Sequence, residues 1–260
     1  FMYCGEEDLL EIRLNMLKEV VNFHVIIEGS ISHSNKLKPL YFLDNYKRFE
    51  SFSDKIIYRT AKFQHENAFY NDWSYRDVMI SSISNLKSDD IIHHSDLDEP
   101  VKPEFLLDIC KNLQKPIVIG ADYHQFTLDL WGRKDLVGIV MKADWIREPL
   151  HKYRDNRSGY FVKDYFTKIE NAGYHYSSLG PPENIISKFE RYAHHNEASP
   201  QMKNKDFILK CIKERNGQYT IDEPPERLKL VEHNEQNIPA YILKNKEKYK
   251  HLFYDYYKDL

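Results

Sequence analysis

Asp96 and Asp98 stand one residue apart and are followed at once by Glu99 and Pro100. They close the stretch Asp89-Asp90-Ile91-Ile92-His93-His94-Ser95, in which a short apolar run leads into the acids. A strand that delivers two carboxylates at its C-terminal end makes a site for a hard cation. Mg²⁺ and Mn²⁺ favour oxygen ligands, commonly one or two carboxylates plus the phosphates of a substrate. The chemistry expected is metal-assisted handling of a phosphorylated substrate. The competing structural role is a strand-end turn with solvated acids. Alternation along the same strand sends His93 and His94 to opposite faces, which makes them packing residues.

Something must hold that strand in place. Leu10, Leu14, Leu17 and Val21 recur at helical spacing behind Glu6, Glu7 and Asp8, whose charges suit a helix N-terminus. Residues 22–28 read as a buried strand, 29–38 as a polar loop and 55–59 as a second short strand. Residues 72–86 read as a helix, 91–95 as the strand that bears the acids, 103–112 as a helix and 116–120 as a strand. Strand and helix alternate, which predicts an α/β fold with a Rossmann-type, mostly parallel sheet flanked by helices. Ligands of such sheets sit at the carboxyl ends of the strands, where Asp96, Asp98 and Glu28 all lie.

The second half is less regular. Residues 126–131 and 136–142 read as a hairpin or a pair of added strands, and 151–158 as a basic loop. Residues 173–179 are strand-like. Gly180-Pro181-Pro182-Glu183 starts a helix that runs to about Tyr192, and 194–205 reads as a polar loop. Helices with proline-rich joints follow, notably at Glu223-Pro224-Pro225. The organisation expected is one α/β domain over 1–205 with a helical C-terminal extension, 206–260, packed on it.

The 260 residues are 42% hydrophobic, enough for a substantial core. Nineteen Tyr and 14 Phe suit both a tyrosine-rich core and the stacking of sugars or bases. A net charge of −3 argues against nucleic acid as a partner. Cys4, Cys110 and Cys211 form no CxxC pair and indicate neither a zinc site nor a disulfide framework. No run of 18 apolar residues exists, so no membrane-spanning segment is expected, and no signal peptide is visible. The chain opens on Phe1 rather than Met, which leaves room for a longer native protein. A cytoplasmic enzyme and the soluble catalytic part of a Golgi-like luminal one both agree with this composition.

The segments Asp8-Leu9-Leu10-Glu11-Ile12-Arg13-Leu14-Asn15, Val25-Ile26-Ile27-Glu28 and Ser32-His33-Ser34-Asn35-Lys36 through Phe42 resemble glycosyltransferase family 17. So do Asp54-Lys55-Ile56-Ile57, Asp89-Asp90-Ile91-Ile92 and Ser95-Asp96-Leu97-Asp98-Glu99, and later Ala172-Gly173-Tyr174-His175-Tyr176-Ser177 through His194. The resemblance runs over roughly residues 1 to 200. Known members transfer N-acetylglucosamine to a β-mannosyl residue of glycoproteins. The resemblance implies a GT-A fold, a UDP-sugar donor, Mn²⁺ or Mg²⁺, inversion at the anomeric carbon, and a glycan or glycoprotein acceptor. The family pattern Asp-x-Asp-Glu-Ile-Pro is altered, because Pro100 follows Glu99 directly. Tyr174 replaces the usual Trp, and residues 120–160, where the acceptor should dock, match poorly. The sugar transferred is accordingly expected to be N-acetylglucosamine or glucose.

Roles follow from that resemblance. Asp98 is expected to bind the metal directly, Asp96 to bind it through water or to hold the donor ribose, and His194, with His175 as alternative, to complete the site. Glu6, Glu28, Lys36 and Arg76 are candidates for donor binding, with Lys38 beside them. Arg13 is expected to make a structural ion pair. The general base that inversion requires is expected at Glu183, with Asp122 and Glu197 as alternatives. Two acids at a strand end also serve metal-dependent phosphohydrolases and nucleotidyltransferases. No phosphate-cradling glycine motif is present for that reading. A catalytically decayed carbohydrate-binding protein is the third class.

Overall fold

In the computed structural model, residues 1–155, 166–197, 199–217 and 226–260 are described. The chain begins with β1 (Met2–Tyr3), α1 (Glu7–Leu17) and β2 (His24–Gly29). Two short helices, α2 (Tyr41–Asp44) and α3 (Tyr46–Phe49), lead to β3 (Ile56–Ala61) and α4 (Ala68–Ser81). Then come β4 (Ile91–His94), α5 (Pro103–Asn112), β5 (Ile117–Gln125) and β6 (Leu130–Lys142). They are followed by α6 (Leu150–Asp155), β7 (Thr167–Ser177), α7 (Pro182–Arg191) and α8 (Lys205–Glu214). The C-terminal part adds β8 (Lys229–Leu230), α9 (Ala240–Lys244) and α10 (Tyr254–Tyr257).

Strands β1, β2 and β3 form a wholly parallel sheet in that order. A second sheet has the order β4-β6-β5-β7, with β8 paired to β6. Its β5–β7 pair is parallel, while β6 runs antiparallel to β4, β5 and β8. This is the α/β architecture expected, a single domain with helices against its sheets. Among the described residues no helix is long and apolar enough to cross a membrane.

Local chemistry sets the helices. α1 buries Leu9, Leu10, Ile12, Leu14 and Leu17 and carries Glu7 and Asp8 in its first turn. The Asn67 side chain caps α4 by accepting from the Phe69 N–H at 2.9 Å. α5 and α7 each begin on a proline, whose missing N–H costs nothing there. Gly180 precedes α7 at φ +104°, a conformation closed to most side chains.

Three expectations are corrected. The hairpin is formed by β5 and β6, joined through residues 126–129, not by 126–131 with 136–142. Arg133 and Lys134, the polar stretch that suggested a turn, are exposed side chains on one continuous strand. The strand from 116 does not stop at Gly120. A Cβ there would lie 2.5 Å from a Glu170 carboxylate oxygen, so glycine lets β7 approach β5 closely. Residues 150–155 form a helix rather than a basic loop. Leu150, Tyr153 and Arg154 are its buried face, at the i, i+3, i+4 spacing that its many charges concealed. Residues 156–158 of that expected loop, and the joint at Glu223-Pro224-Pro225, lie outside the described residues.

The C-terminal segment belongs to the main core and adds a strand to it. Ile238, Ile242, Tyr249, Leu252 and Phe253 pack in one cluster with Leu10, Ile12 and Leu14 of α1, and with Phe1, Tyr3 and Leu97. His251 meets Asp8 at 2.7 Å across the same junction. Replacing the fully buried Ile242 by Ala is expected to lower unfolding free energy by about 2–5 kcal/mol, in a single denaturant transition. A separate early transition for the C-terminal segment would show that the two parts fold independently.

Candidate active site

The chain leaves β4 at His94 and turns sharply through Ser95–Glu99. The Asp96 N–H donates to Glu99 Oε2 at 2.9 Å, and the Glu99 N–H donates to the Asp96 carbonyl at 3.1 Å. Arg13 of α1 reaches the same turn from below. It donates to the Asp96 carbonyl at 2.6 Å, to the Leu97 carbonyl at 3.3 Å and to Ser95 Oγ at 2.7 Å. Its role is structural, as expected, but its partners are carbonyls and a hydroxyl in place of an ion pair. On the far side the turn is pinned to β7, where the Tyr176 N–H donates to the Asp98 carbonyl at 2.8 Å.

The Asp96 carboxylate is clamped by two arginines. Arg76 of α4 donates to Oδ1 at 2.6 Å and to Oδ2 at 3.3 Å, and Arg154 of α6 donates to Oδ2 at 2.7 Å. Arg76 also holds Asp72, at 2.8 Å through Nε. Arg154 also holds both oxygens of Glu99, one of them at 2.5 Å. Glu99 is 1% exposed, and burial at that level requires an opposite charge. Burial raises the Asp96 carboxyl, but Arg154 and Arg76 outweigh it and hold the group well below its ordinary value.

Asp98 lies on the other side of the turn and meets Lys188 of α7 at 2.7 Å. Burial raises its carboxyl, and the charges of Lys188 and His175 bring it below the ordinary value. Glu6, between β1 and α1, shares this neighbourhood. Its carboxyl is raised, first by burial and then by Asp98, against the pull of Lys188. His175 Nδ1 donates to the Asp135 carboxylate at 2.8 Å. Burial lowers its proton affinity, but Asp135, Asp98 and Glu99 reverse the sign and raise it. His93 and His94 are packing residues, as expected. Burial drives both well below the ordinary histidine value, so they are neutral.

The structure thus gathers Asp96, Asp98, Arg76 and Glu6 around one turn. The other expected site residues have different surroundings. Glu28 is fully buried and accepts from the Tyr41 and Phe42 N–H groups, the Tyr58 hydroxyl and Lys38 Nζ, at 2.8–3.2 Å. Its carboxylate organises the turn into α2. Lys36 pairs with Glu190 at 3.5 Å on the surface. Glu183 pairs with Lys205 at 2.6 Å, both side chains more than half exposed. Five residues separate Glu183 from Lys188, about 140° around the helix, so the two face different ways. Asp122 accepts from Trp131 Nε1 at 2.9 Å and from Lys134. Burial raises its carboxyl, and these donors bring it below the ordinary value. His194 pairs with Glu197 at 2.7 Å, half exposed. Among the described residues, no group of three or more His, Cys, Asp or Glu is arranged to hold a metal ion.

Lys188, Arg154 and the His175–Asp135 pair surround the same turn, and the sequence alone did not assign them these contacts. A signal existed for the two cations. Lys188 lies between Ile185 and Phe189 on the buried face of α7, and Arg154 follows Tyr153 on the buried face of α6. A cation at a core-facing helical position demands a buried anion.

The chain belongs to glycosyltransferase family 17, whose model matches residues 1–255. The protein is therefore a glycosyltransferase, with a sugar donor and an acceptor as substrates. The match continues through the C-terminal segment that packs on α1. No curated protein and no solved structure matches the chain.

Two outcomes test this electrostatic arrangement. Arg154→Ala strands the Glu99 charge in the interior and is expected to cost about 3–5 kcal/mol, read from urea denaturation. Glu99→Gln on that background should recover part of the loss. A histidine raised above 6.5 on folding adds stability that is fully present below its unfolded value and disappears as pH climbs through the folded one. The stability gap between wild type and His175→Gln is therefore expected to be widest below the ordinary histidine value of about 6.5 and to shrink as pH rises above it. A gap independent of pH would reduce His175 to a packing role.

Proposed function

We propose that this protein is a metal-dependent, inverting glycosyltransferase. It moves N-acetylglucosamine or glucose from a UDP-sugar to a hydroxyl of a glycan or glycoprotein. The observation that carries the reading is the Asp98 carboxylate. It is kept ionised in the turn that follows β4, with one oxygen on Lys188 and the other without a hydrogen bond among the described residues.

That donor set fits Mn²⁺ or Mg²⁺ bound mainly by substrate oxygens. Such ions need only one or two protein carboxylates when a diphosphate supplies further ligands. Asp98 is the direct ligand in this reading. Asp96 has both oxygens on guanidinium groups, so its part is to fix the turn and to meet the metal shell or ribose through water. When bound, the metal supplies positive charge to the diphosphate as the UDP leaving group departs.

The chain's own residues do the rest. Lys188 brings a permanent positive charge to the same place, since burial opposes that charge but Asp98 and Glu6 more than restore it. Arg76 and Arg154 hold Asp96 in one orientation, so the turn is set before the donor arrives. The pinning of Asp98 to β7 through its carbonyl limits its movement.

Titration calorimetry with UDP tests this. Wild type is expected to bind UDP at least about tenfold more tightly with Mn²⁺ than without it, a difference of about 1.4 kcal/mol. Asp98→Asn should abolish the Mn²⁺ effect while keeping a native circular dichroism spectrum. Equal affinity with and without metal in the wild type would sink the metal-bridged donor.

A further inference from the structure

A cleft of about 520 Å³ opens beside the acid turn, between segments 33–35, 66–69 and 193–197. Its volume lies within the roughly 300–1,000 Å³ of ordinary small-molecule sites. It is linked to the turn by side chains. His33 stands 3.7 Å from Asp72, Asp72 is held by Arg76, and Arg76 clamps Asp96.

The lining chemistry selects the ligand. Among the described residues the cleft wall has no Lys or Arg, and it carries two carboxylates, Glu66 and Glu197. The cations flanking it are directed elsewhere: Lys36 to Glu190, and Lys203 to the His195 carbonyl. The N-terminus of α4 opens there, but Asn67 caps it. A diphosphate would meet net negative charge, whereas a neutral ligand rich in hydroxyls would meet amides, imidazoles and carboxylates, all able to hydrogen-bond. Asn35 is tied to Asn71 and to the His65 carbonyl, so that wall is preformed. Asn196 is exposed and has no partner among the described residues.

An aromatic surface continues from this cleft. Phe69 lies in its wall, with the His194 ring 4.7 Å away. One helical turn along α4, Tyr70 and Trp73 lie 5.2 Å apart, and Trp73 stacks on His151 at 4.9 Å. Tyr70 is 49% exposed. Phe69 and Trp73 are i and i+4, so the rings are neighbours along the helix. Aromatic faces bordered by hydrogen-bonding groups match a sugar ring, which presents C–H on its faces and hydroxyls at its edge.

We infer that this cleft and the Phe69–Tyr70–Trp73 surface of α4 bind the acceptor as a neutral oligosaccharide, separately from the nucleotide diphosphate. Naming the ligand an acceptor rests on the transferase reading given above; its neutral saccharide chemistry rests on the cleft alone.

The test is saturation-transfer NMR and calorimetry on the full chain, with mannotriose, chitotriose and cellotriose as neutral probes, and inorganic pyrophosphate as the charged one. UDP affinity with Mn²⁺ is measured in the same samples. At least one trisaccharide is expected to bind. Phe69→Ala and Trp73→Ala should each weaken it about tenfold. Asn196→Trp, at an exposed position, should block it by bulk without touching the core. All three variants should keep the wild-type UDP affinity. Absence of trisaccharide binding, or binding that no variant weakens, overturns the inference. So does loss of UDP affinity in correctly folded cleft variants, because the cleft would then belong to the nucleotide. Variant-sensitive trisaccharide binding in a protein that ignores UDP would support the saccharide cleft while the donor reading fails.

Discussion

Two carboxylates, the buried Glu99 and the partly buried Asp96, share one tight turn and need opposite charge beside them. Arg76 and Arg154 supply it, and Arg13 takes up the carbonyls that the turn exposes. Each arginine comes from a different helix. The helices must therefore pack at distances set by side-chain reach, and α4 and α6 meet directly. Asp98 is held on the same turn by its carbonyl, so the charge-compensated turn also fixes the carboxylate proposed to meet the donor.

A turn clamped by guanidinium groups suits transfer chemistry. Leaving-group stabilisation works best from groups that need not reorganise as charge develops. Asp96, with three donors on its two oxygens, has little freedom left. Asp98 has one donor, and Glu6 beside it is pushed toward its neutral form. The site thus grades from a locked acid to a responsive one across three residues of chain.

Much of this was legible in the sequence where local and tertiary demands agree. α5 begins at Pro103 and ends at Asn112 because proline at the first position and the apolar spacing indicate the same element. β4 forms where its short apolar run suggested and leads within two residues into the acidic turn. Reading failed where a residue answers to a distant partner. Glu28 looked like a ligand at a strand end, but it is consumed by the backbone of α2, a segment too short to announce itself by periodicity. Glu183 had the position expected of a general base, but its side chain is exposed beside Lys205, a surrounding set by the helix rotation that buries Ile185 and Phe189. Arg154 lay in a run of charges whose helical face is visible only once Leu150 and Tyr153 are known to be buried.

The three arginines also have an order in time. Arg13 and Arg76 precede the acidic turn along the chain, and Arg154 lies 58 residues beyond Asp96. During synthesis from the N-terminus, Asp96 and Glu99 emerge with only part of their counter-charge available. Water must solvate them until α6 has been made and has packed against α4. Closing such a long segment is entropically slow compared with forming a local helix. The acidic turn is thus expected to be among the last parts of the nascent domain to dry out, still hydrated after the helices that precede it have formed.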